Sequence, residues 1–341
     1  MMLKRLIALG GTRAFFGLSG GPATAQGNLV VYCGVQEEWC QLMVNEFQKE
    51  TGISVSMTRK SSGEIFAQVK AEAQNPQGDI WWGGTGDPHL QAAEEDLTVA
   101  YESSNLPLLR DWAVEQHKIS GGKTVGIYSG ALGFGYNTEL LEAGVEPPAC
   151  WADLVKPEFE GEIQVANPNS SGTAYTLLAT VVQIMGEEKA FEWLKALDKN
   201  INQYTKSGAA PAQAIARGET TIGIAFMHDV VTPIITSDAP VVAVAPCEGT
   251  GYEIGSASII KGAKNLDNAK KFYDWALTAD AQKLAAQAAS FQLPSNKDAP
   301  LPEKAPDVNS IKLIDYDFGK FGSSDERTRL LSKWDAEIGA N

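Results

Sequence analysis

The sequence predicts an α/β protein of two lobes, each a central sheet flanked by helices, with a ligand cleft between them. Its 341 residues, 44% of them hydrophobic, exceed what one core usually holds. The first part of the chain reads as a β-α-β-α-β run, which implies a parallel sheet with right-handed crossovers. After Pro147-Pro148 the alternation begins again.

Residues 1–26 stand apart. Lys4 and Arg5 precede an apolar stretch, Arg13 interrupts it, and Ala23-Thr24-Ala25 offers a small-residue cleavage site. This reads as a secretory signal cut near Ala25–Gln26, which predicts export. No later run reaches the roughly 18 apolar residues of a membrane span.

Residues 28–32 form a short buried strand. A helix from about Glu37 puts Trp39, Leu42, Met43 and Phe47 on one face, and Gly52 ends it. Ile53, Val55 and Met57 alternate as a second strand. A helix from near Ser61 buries Ile65, Phe66 and Val69, stopping before Asn75-Pro76; residues 79–82 make the third strand. Trp81 and Trp82 should pack on opposite faces of it.

The turn Ser120-Gly-Gly-Lys123 leads into a long strand at 124–134. The second unit has strands at 162–166, 201–205, 221–227 and 241–245, with helices at 171–185, 187–199 and 210–217. A strand at 255–260 and a long helix at 267–289 return to the first lobe; 297–306, rich in Pro and charge, is a loop. Lobe 1 is thus expected at 27–122 and 246–300, and lobe 2 at 123–245 and 301–341.

Formal charge is −14, and −17 once Lys4, Arg5 and Arg13 leave with the signal. Such a surface disfavours nucleic acid and anionic membranes. Any anion site must therefore be built locally. Of the four cysteines, Cys33 and Cys40 could bridge a strand end to the next helix, but four thiols allow three full pairings. Metal spacing is absent, with no Cys-x-x-Cys and three scattered histidines.

Asn167-Pro-Asn-Ser-Ser-Gly-Thr173 follows a strand and opens an apolar helix. Ser170, Ser171 and Thr173 are N-cap types, and Gly172 lets a ligand approach the main chain. A helix start offers free N–H donors and partial positive charge to an anion. The design recurs at Ser61-Ser62-Gly63 and Ser207-Gly208-Ala209, with Arg59, Lys60 and Lys206 alongside. Plain helix capping explains any one of these; three together point to an anion. Gly83-Gly84-Thr85-Gly86-Asp87 is a fourth candidate, without the dinucleotide or P-loop pattern.

His228-Asp229 ends an apolar strand, where open α/β sheets bind ligands. As a catalytic pair they would need a nucleophile or a metal. As ligand contacts they suit hydroxyls, or an ammonium on Asp229. Glu248, Glu253, Tyr136 and Asn137 could add to them from segments crossing between lobes.

The secretory start, Val30-Val-Tyr32, Asp79-Ile-Trp-Trp-Gly-Gly-Thr85, the segment 167–173 and Lys271-Phe-Tyr-Asp-Trp-Ala-Leu-Thr-Ala-Asp-Ala-Gln282 resemble the extracellular solute-binding proteins of ABC importers. The nearest branch holds ferric-ion, phosphonate and hexose-phosphate binders. The resemblance implies the two-lobed type II periplasmic binding protein fold, closing on a small anionic solute and docking onto a permease in the inner membrane. Ferric binders carry a Tyr-Tyr pair where this chain has His228-Asp229; a hard Fe³⁺ ion would lack its phenolates. Phe-Met-His-Asp is similar instead to the hexose-phosphate binders. That likeness implies hydroxyl contacts at His228, Asp229 and either Glu253 or Glu248. It implies phosphate contacts at Ser61, Ser62, Ser171, Gly172, Thr173 and Ser207. Gly63, Thr85, Asn137 and Ser170 complete the candidate set.

The expectation is a monomeric periplasmic solute-binding component for a sugar phosphate, without cofactor, metal or catalytic residue. The rivals are 2-aminoethylphosphonate, then ferric ion, then a secreted phosphoester hydrolase. A Gly-x-Ser-x-Gly nucleophile motif occurs only at residues 17–21, inside the secretory start, so the hydrolase reading finds none in the mature chain.

Overall fold

The computed structural model describes residues 27–303, 305–306 and 310–339; the secretory signal and its cleavage site lie outside them. The chain opens with β1 (Asn28–Cys33), α1 (Glu37–Thr51), β2 (Ser54–Arg59), α2 (Ser62–Ala71) and β3 (Ile80–Trp82). β1 lies between β2 and β3, parallel to both. Gly52 caps α1 in the left-handed region at φ 70°, where a side chain would be strained.

Next come α3 (Gly86–Glu94), β4 (Thr98–Val99), α4 (Asp111–Ile119) and the long β5 (Val125–Asn137). The second unit comprises β6 (Ile163–Ala166), α5 (Gly172–Met185), α6 (Glu187–Asn200), β7 (Ile201–Thr205), α7 (Ala210–Ala216), β8 (Ile222–Phe226), α8 (Met227–Ser237) and β9 (Val241–Val244). The chain closes with β10 (Tyr252–Ile260), α9 (Leu266–Ala276), α10 (Ala279–Gln282), α11 (Leu284–Gln287), β11 (Leu293–Pro294), α12 (Phe318–Phe321) and α13 (Ser324–Glu337).

The strand order is β2-β1-β3-β10-β5-β8-β6-β7. β5 joins the two units by changing partner along its length. Residues 125–131 pair antiparallel with β10, and 132–137 pair with β8 and β9. Two large cores result. One gathers Val31, Phe47, Ile80, Trp82 and Phe272; the other gathers Phe134, Ile163, Tyr175, Phe191, Ile224 and Trp334. Phe47 is fully buried, its ring 5.0 Å from that of Phe272. Truncating it to alanine would cost about 3–5 kcal/mol.

Trp81 and Trp82 fall into different clusters, as alternation requires. Trp81 stacks on His89 at 3.7 Å, and His89 contacts Ser258 Oγ and the Gly83 carbonyl through its two nitrogens. Burial pushes the imidazole pKa down to about 3, so His89 is a neutral prop for the Gly83-Gly84 turn.

Two expectations need correction. The long helix at 267–289 is three pieces, because Thr278 turns its side chain onto the Ala281 N–H and starts a new helix. The strand at 221–227 stops at Phe226, and His228 and Asp229 belong to the first turn of α8. They therefore do not alternate across a sheet. The cysteines form two disulfides, Cys33–Cys40 and Cys150–Cys247.

Candidate functional site

Parallel strands of both units end at one cavity, and the helices that follow them start there. Gly34, Val35 and Gln36 follow β1; Arg59, Ser61 and Ser62 link β2 to α2; Gly84 and Thr85 link β3 to α3. From the second unit come Ser171, Gly172 and Thr173 before and within α5, Ser207, Gly208 and Ala209 before α7, and Phe226, His228 and Asp229 around the start of α8. Tyr128, Glu253 and Gln292 complete the wall. This is the carboxyl edge of the sheets, where α/β folds bind ligands.

The serine and threonine side is held by short-range contacts. Ser62 Oγ accepts the Thr85 N–H at 3.1 Å, and the Tyr128 hydroxyl accepts the Gly84 N–H at 3.0 Å. A Cβ on Gly172 would run into Thr85 Oγ1, and one on Gly208 into Thr173 Oγ1 and Ser171 Oγ. Glycine is required at both places by close approach. Ser171, the N-cap of α5, makes no side-chain capping bond, and Thr85 Oγ1 is buried without a partner among the described residues. Arg59 is the one cation among the lining residues, donating to Val35 O at 2.8 Å and Ser207 Oγ at 3.2 Å.

A buried trio lines the same cavity. His228 Nε2 lies 3.7 Å from Asp229 Oδ2 and 3.5 Å from Glu253 Oε1. The ring stacks on Phe226 at 5.5 Å and sits over Gly130, where a Cβ would strike Nδ1. That Nδ1 has no partner among the described residues. Burial drives all three groups towards neutrality. It pushes His228 down to about 3 despite two neighbouring carboxyls, Asp229 up to about 7, and Glu253 well above the carboxylate range. Gln36 and Arg59 oppose the rise at Asp229, whereas Asp229 and Asp87 reinforce it at Glu253.

Ten candidates therefore meet in one place: Ser61, Ser62, Thr85, Ser171, Gly172, Thr173, Ser207, His228, Asp229 and Glu253. Gly63 and Ser170 do not line it, though each adjoins a lining serine in the chain, and the Gly63 N–H donates to the Ser170 carbonyl at 3.0 Å. Asn137 lies elsewhere: its Nδ2 donates to Ile215 O, and its Oδ1 accepts the Glu139 N–H. Glu248 is also elsewhere, accepting the N–H groups of Trp151 and Ala152 beside the Cys150–Cys247 bridge. Its carboxylate caps a short turn, and of the two glutamates Glu253 faces the cavity. Sequence reasoning missed Gln36, Tyr128 and Gln292. Gln36 follows a strand end like the other junction residues, so the same rule reaches it. Nothing local marks the other two.

The pattern of the bacterial extracellular solute-binding proteins matches residues 85–320. The chain belongs to that family. Proteins of this kind deliver solutes to ABC permeases. This solute-binding protein is 47% identical to the periplasmic binding protein AfuA of Actinobacillus pleuropneumoniae, solved with exogenous fructose-6-phosphate bound; the match covers 93% of this chain and 100% of that one, with a TM-score of 0.89. An uncharacterized protein of Haemophilus influenzae is also 47% identical over 93% of this chain and 92% of its own. A Salmonella typhimurium protein, provisionally named a 2-aminoethylphosphonate-binding periplasmic protein, is 25% identical over 83% and 82% of the two chains. This solute-binding protein has the two-lobed α/β type II fold, and among its described residues no helix is long and apolar enough to cross a membrane.

Proposed function

We propose that this protein captures a sugar phosphate in the periplasm and carries it, as a monomer, to an ABC permease of the inner membrane. One observation carries the reading: donor-rich helix starts and Arg59 line the same cavity as the trio His228, Asp229 and Glu253. The helix starts and Arg59 fit a phosphate, since main-chain N–H groups and hydroxyls need no strongly basic surface. The trio fits hydroxyls, each of which donates and accepts. The fructose-6-phosphate bound to the similar protein AfuA supports it.

The cavity is about 40 Å³, against the roughly 300 Å³ or more of ligand pockets generally. A hexose phosphate therefore holds the halves further apart than they stand here. It would take over the bonds that now join them, such as Ser61 Oγ to Lys206 O at 3.1 Å and Arg59 to Ser207. In this reading the hinge lies in β5, where pairing passes from β10 to β8. The lobe border then falls some residues later than the 122/123 expected from sequence.

2-Aminoethylphosphonate is the second reading, favoured by the two buried carboxyls, either of which could hold its ammonium. Calorimetric titration with fructose 6-phosphate, glucose 6-phosphate, 2-aminoethylphosphonate, inorganic phosphate and ferric citrate decides the matter. Saturable binding of a hexose phosphate is expected. Binding of the aminophosphonate or iron with none by either sugar phosphate would sink the proposal, and release of inorganic phosphate from the esters would move it to the hydrolases.

A further inference from the structure

Helix α13 carries a buried arginine that makes no ion pair among the described residues. Arg327 is only 2% exposed, and its guanidinium lies over the ring of Tyr175, 4.1 Å from the centre. Its Nη1 has no hydrogen-bond partner among the described residues. Asp87, as deeply buried, attracts it through space. That carboxyl accepts the Tyr316 hydroxyl at 3.3 Å through Oδ2, while its Oδ1 has no partner among the described residues. Burial lifts the Asp87 pKa to about 6, and Arg327 and Tyr316 pull it back down.

The place of these residues is informative. Asp87 is the second residue of α3, whose N-cap is Thr85; Tyr175 is the fourth of α5, whose N-cap is Ser171. Thr85 and Ser171 both line the ligand cavity. One side chain from α13 thus acts on both helices within about a turn of the ends that face the ligand. The gap between those ends is narrow, since a Cβ on Gly172 would fall on Thr85 Oγ1. Helix α13 is itself tied both ways: the Ser324 N–H donates to Glu94 Oε2 at 2.6 Å, at the far end of α3, and Arg329 pairs with Glu187 at 2.7 Å, at the start of α6. Stability does not account for Arg327. A buried ion pair is often matched or bettered by apolar side chains of similar volume, and a buried guanidinium without a carboxylate in contact is worse placed still.

We propose that Arg327 is a positioning residue of the ligand site. It touches no ligand; through Asp87 and Tyr175 it fixes the starts of α3 and α5 against each other, and so sets the spacing of the groups that receive a phosphate. The inference rests on the phosphate reading of the cavity given above.

The test uses the full mature chain. Fructose 6-phosphate, 2-aminoethylphosphonate and inorganic phosphate are first titrated into the parent by calorimetry. Each that binds is carried into the variants, so a wrong ligand is told apart from a wrong inference. Arg327→Met should lower the melting temperature, because it leaves Asp87 buried alone. Adding Asp87→Asn removes both charges, keeps the net charge, and should bring melting close to the parent's. Affinity should nonetheless stay about fivefold or more below the parent's, since the helix starts have lost the group that sets their spacing. A purely structural role predicts that affinity returns together with stability, so parent-like affinity in the double variant would overturn the inference. If the double variant melts well below the parent, Arg327→Lys decides. It keeps a charge but not the planar face on Tyr175, and should weaken binding by about threefold; an unchanged Kd overturns the inference. If no phosphate binds the parent, small-angle scattering of the ligand-free double variant decides: a larger radius of gyration than the parent's supports the positioning role, and an equal one overturns it.

Discussion

The side-chain amide of Gln36 donates to Asp229 across the cleft, joining the loop after β1 to the first turn of α8. Its carbonyl in turn accepts from the Ser290 hydroxyl at 3.4 Å. One residue thus ties the two halves and holds the carboxyl that faces the ligand. Gln36→Ala should weaken hexose-phosphate binding by about 1–2 kcal/mol, because a buried acceptor loses its partner. Calorimetry would show this as a roughly five- to thirtyfold rise in Kd; an unchanged Kd would remove Gln36 from the site.

Asp229→Ala should cost at least about 2 kcal/mol of binding, since it leaves ligand hydroxyls unpaired in a desolvated cleft. Titration of the variant against the parent checks it.

Asp229 also shapes stability against pH. Its folded pKa of about 7 lies above the ordinary 3.8, so between those values the folded state binds the extra proton. Stability from this group is full below pH 3.8 and is lost as pH rises through 7. His228 acts in the opposite sense: its pKa of about 3 lies below 6.5, so its stability is present above pH 6.5 and lost as pH falls towards 3. Asp229→Asn should therefore raise the melting temperature of the ligand-free protein more above pH 7 than near pH 4. Melting curves across that range would show a widening gap; a constant gap would deny the buried carboxyl its shifted titration.

Gly172→Ala tests closure without touching charge. The added methyl would collide with Thr85 Oγ1, which the start of α5 approaches from the other half. The halves can relieve this by staying apart. The variant should fold normally, and its ligand-free form should be more open than the parent's. Small-angle scattering without ligand should show a larger radius of gyration than the parent's. A radius equal to the parent's would rule this mechanism out.

The Cys33–Cys40 bridge encloses Gly34, Val35 and Gln36, all on the cavity wall. Replacing both cysteines by serine should cost about 2–3 kcal/mol of stability. Affinity should fall too, because the loop that presents Gln36 gains freedom. Denaturant unfolding together with calorimetry separates the two effects.

The order of strands and helices was legible because hydrophobic period and helix caps are local signals. So were Ser61, Ser171, Ser207 and the His228-Asp229 pair, each beside the end of a strand. Asn137 and Glu248 misled because residue type alone cannot reveal that their groups are already taken by the Ile215 carbonyl and by two main-chain N–H groups. Tyr128 and Gln292 were silent, since strand β5 and the stretch after α11 meet the cavity only once the sheet is assembled. The sequence by itself determined which segments would start helices, a matter of neighbours a few residues apart. Only the tertiary structure decided that those helix starts, one arginine and three buried titratable groups would line a single enclosure. Such convergence depends on contacts between residues far apart in the chain, and no local pattern encodes it.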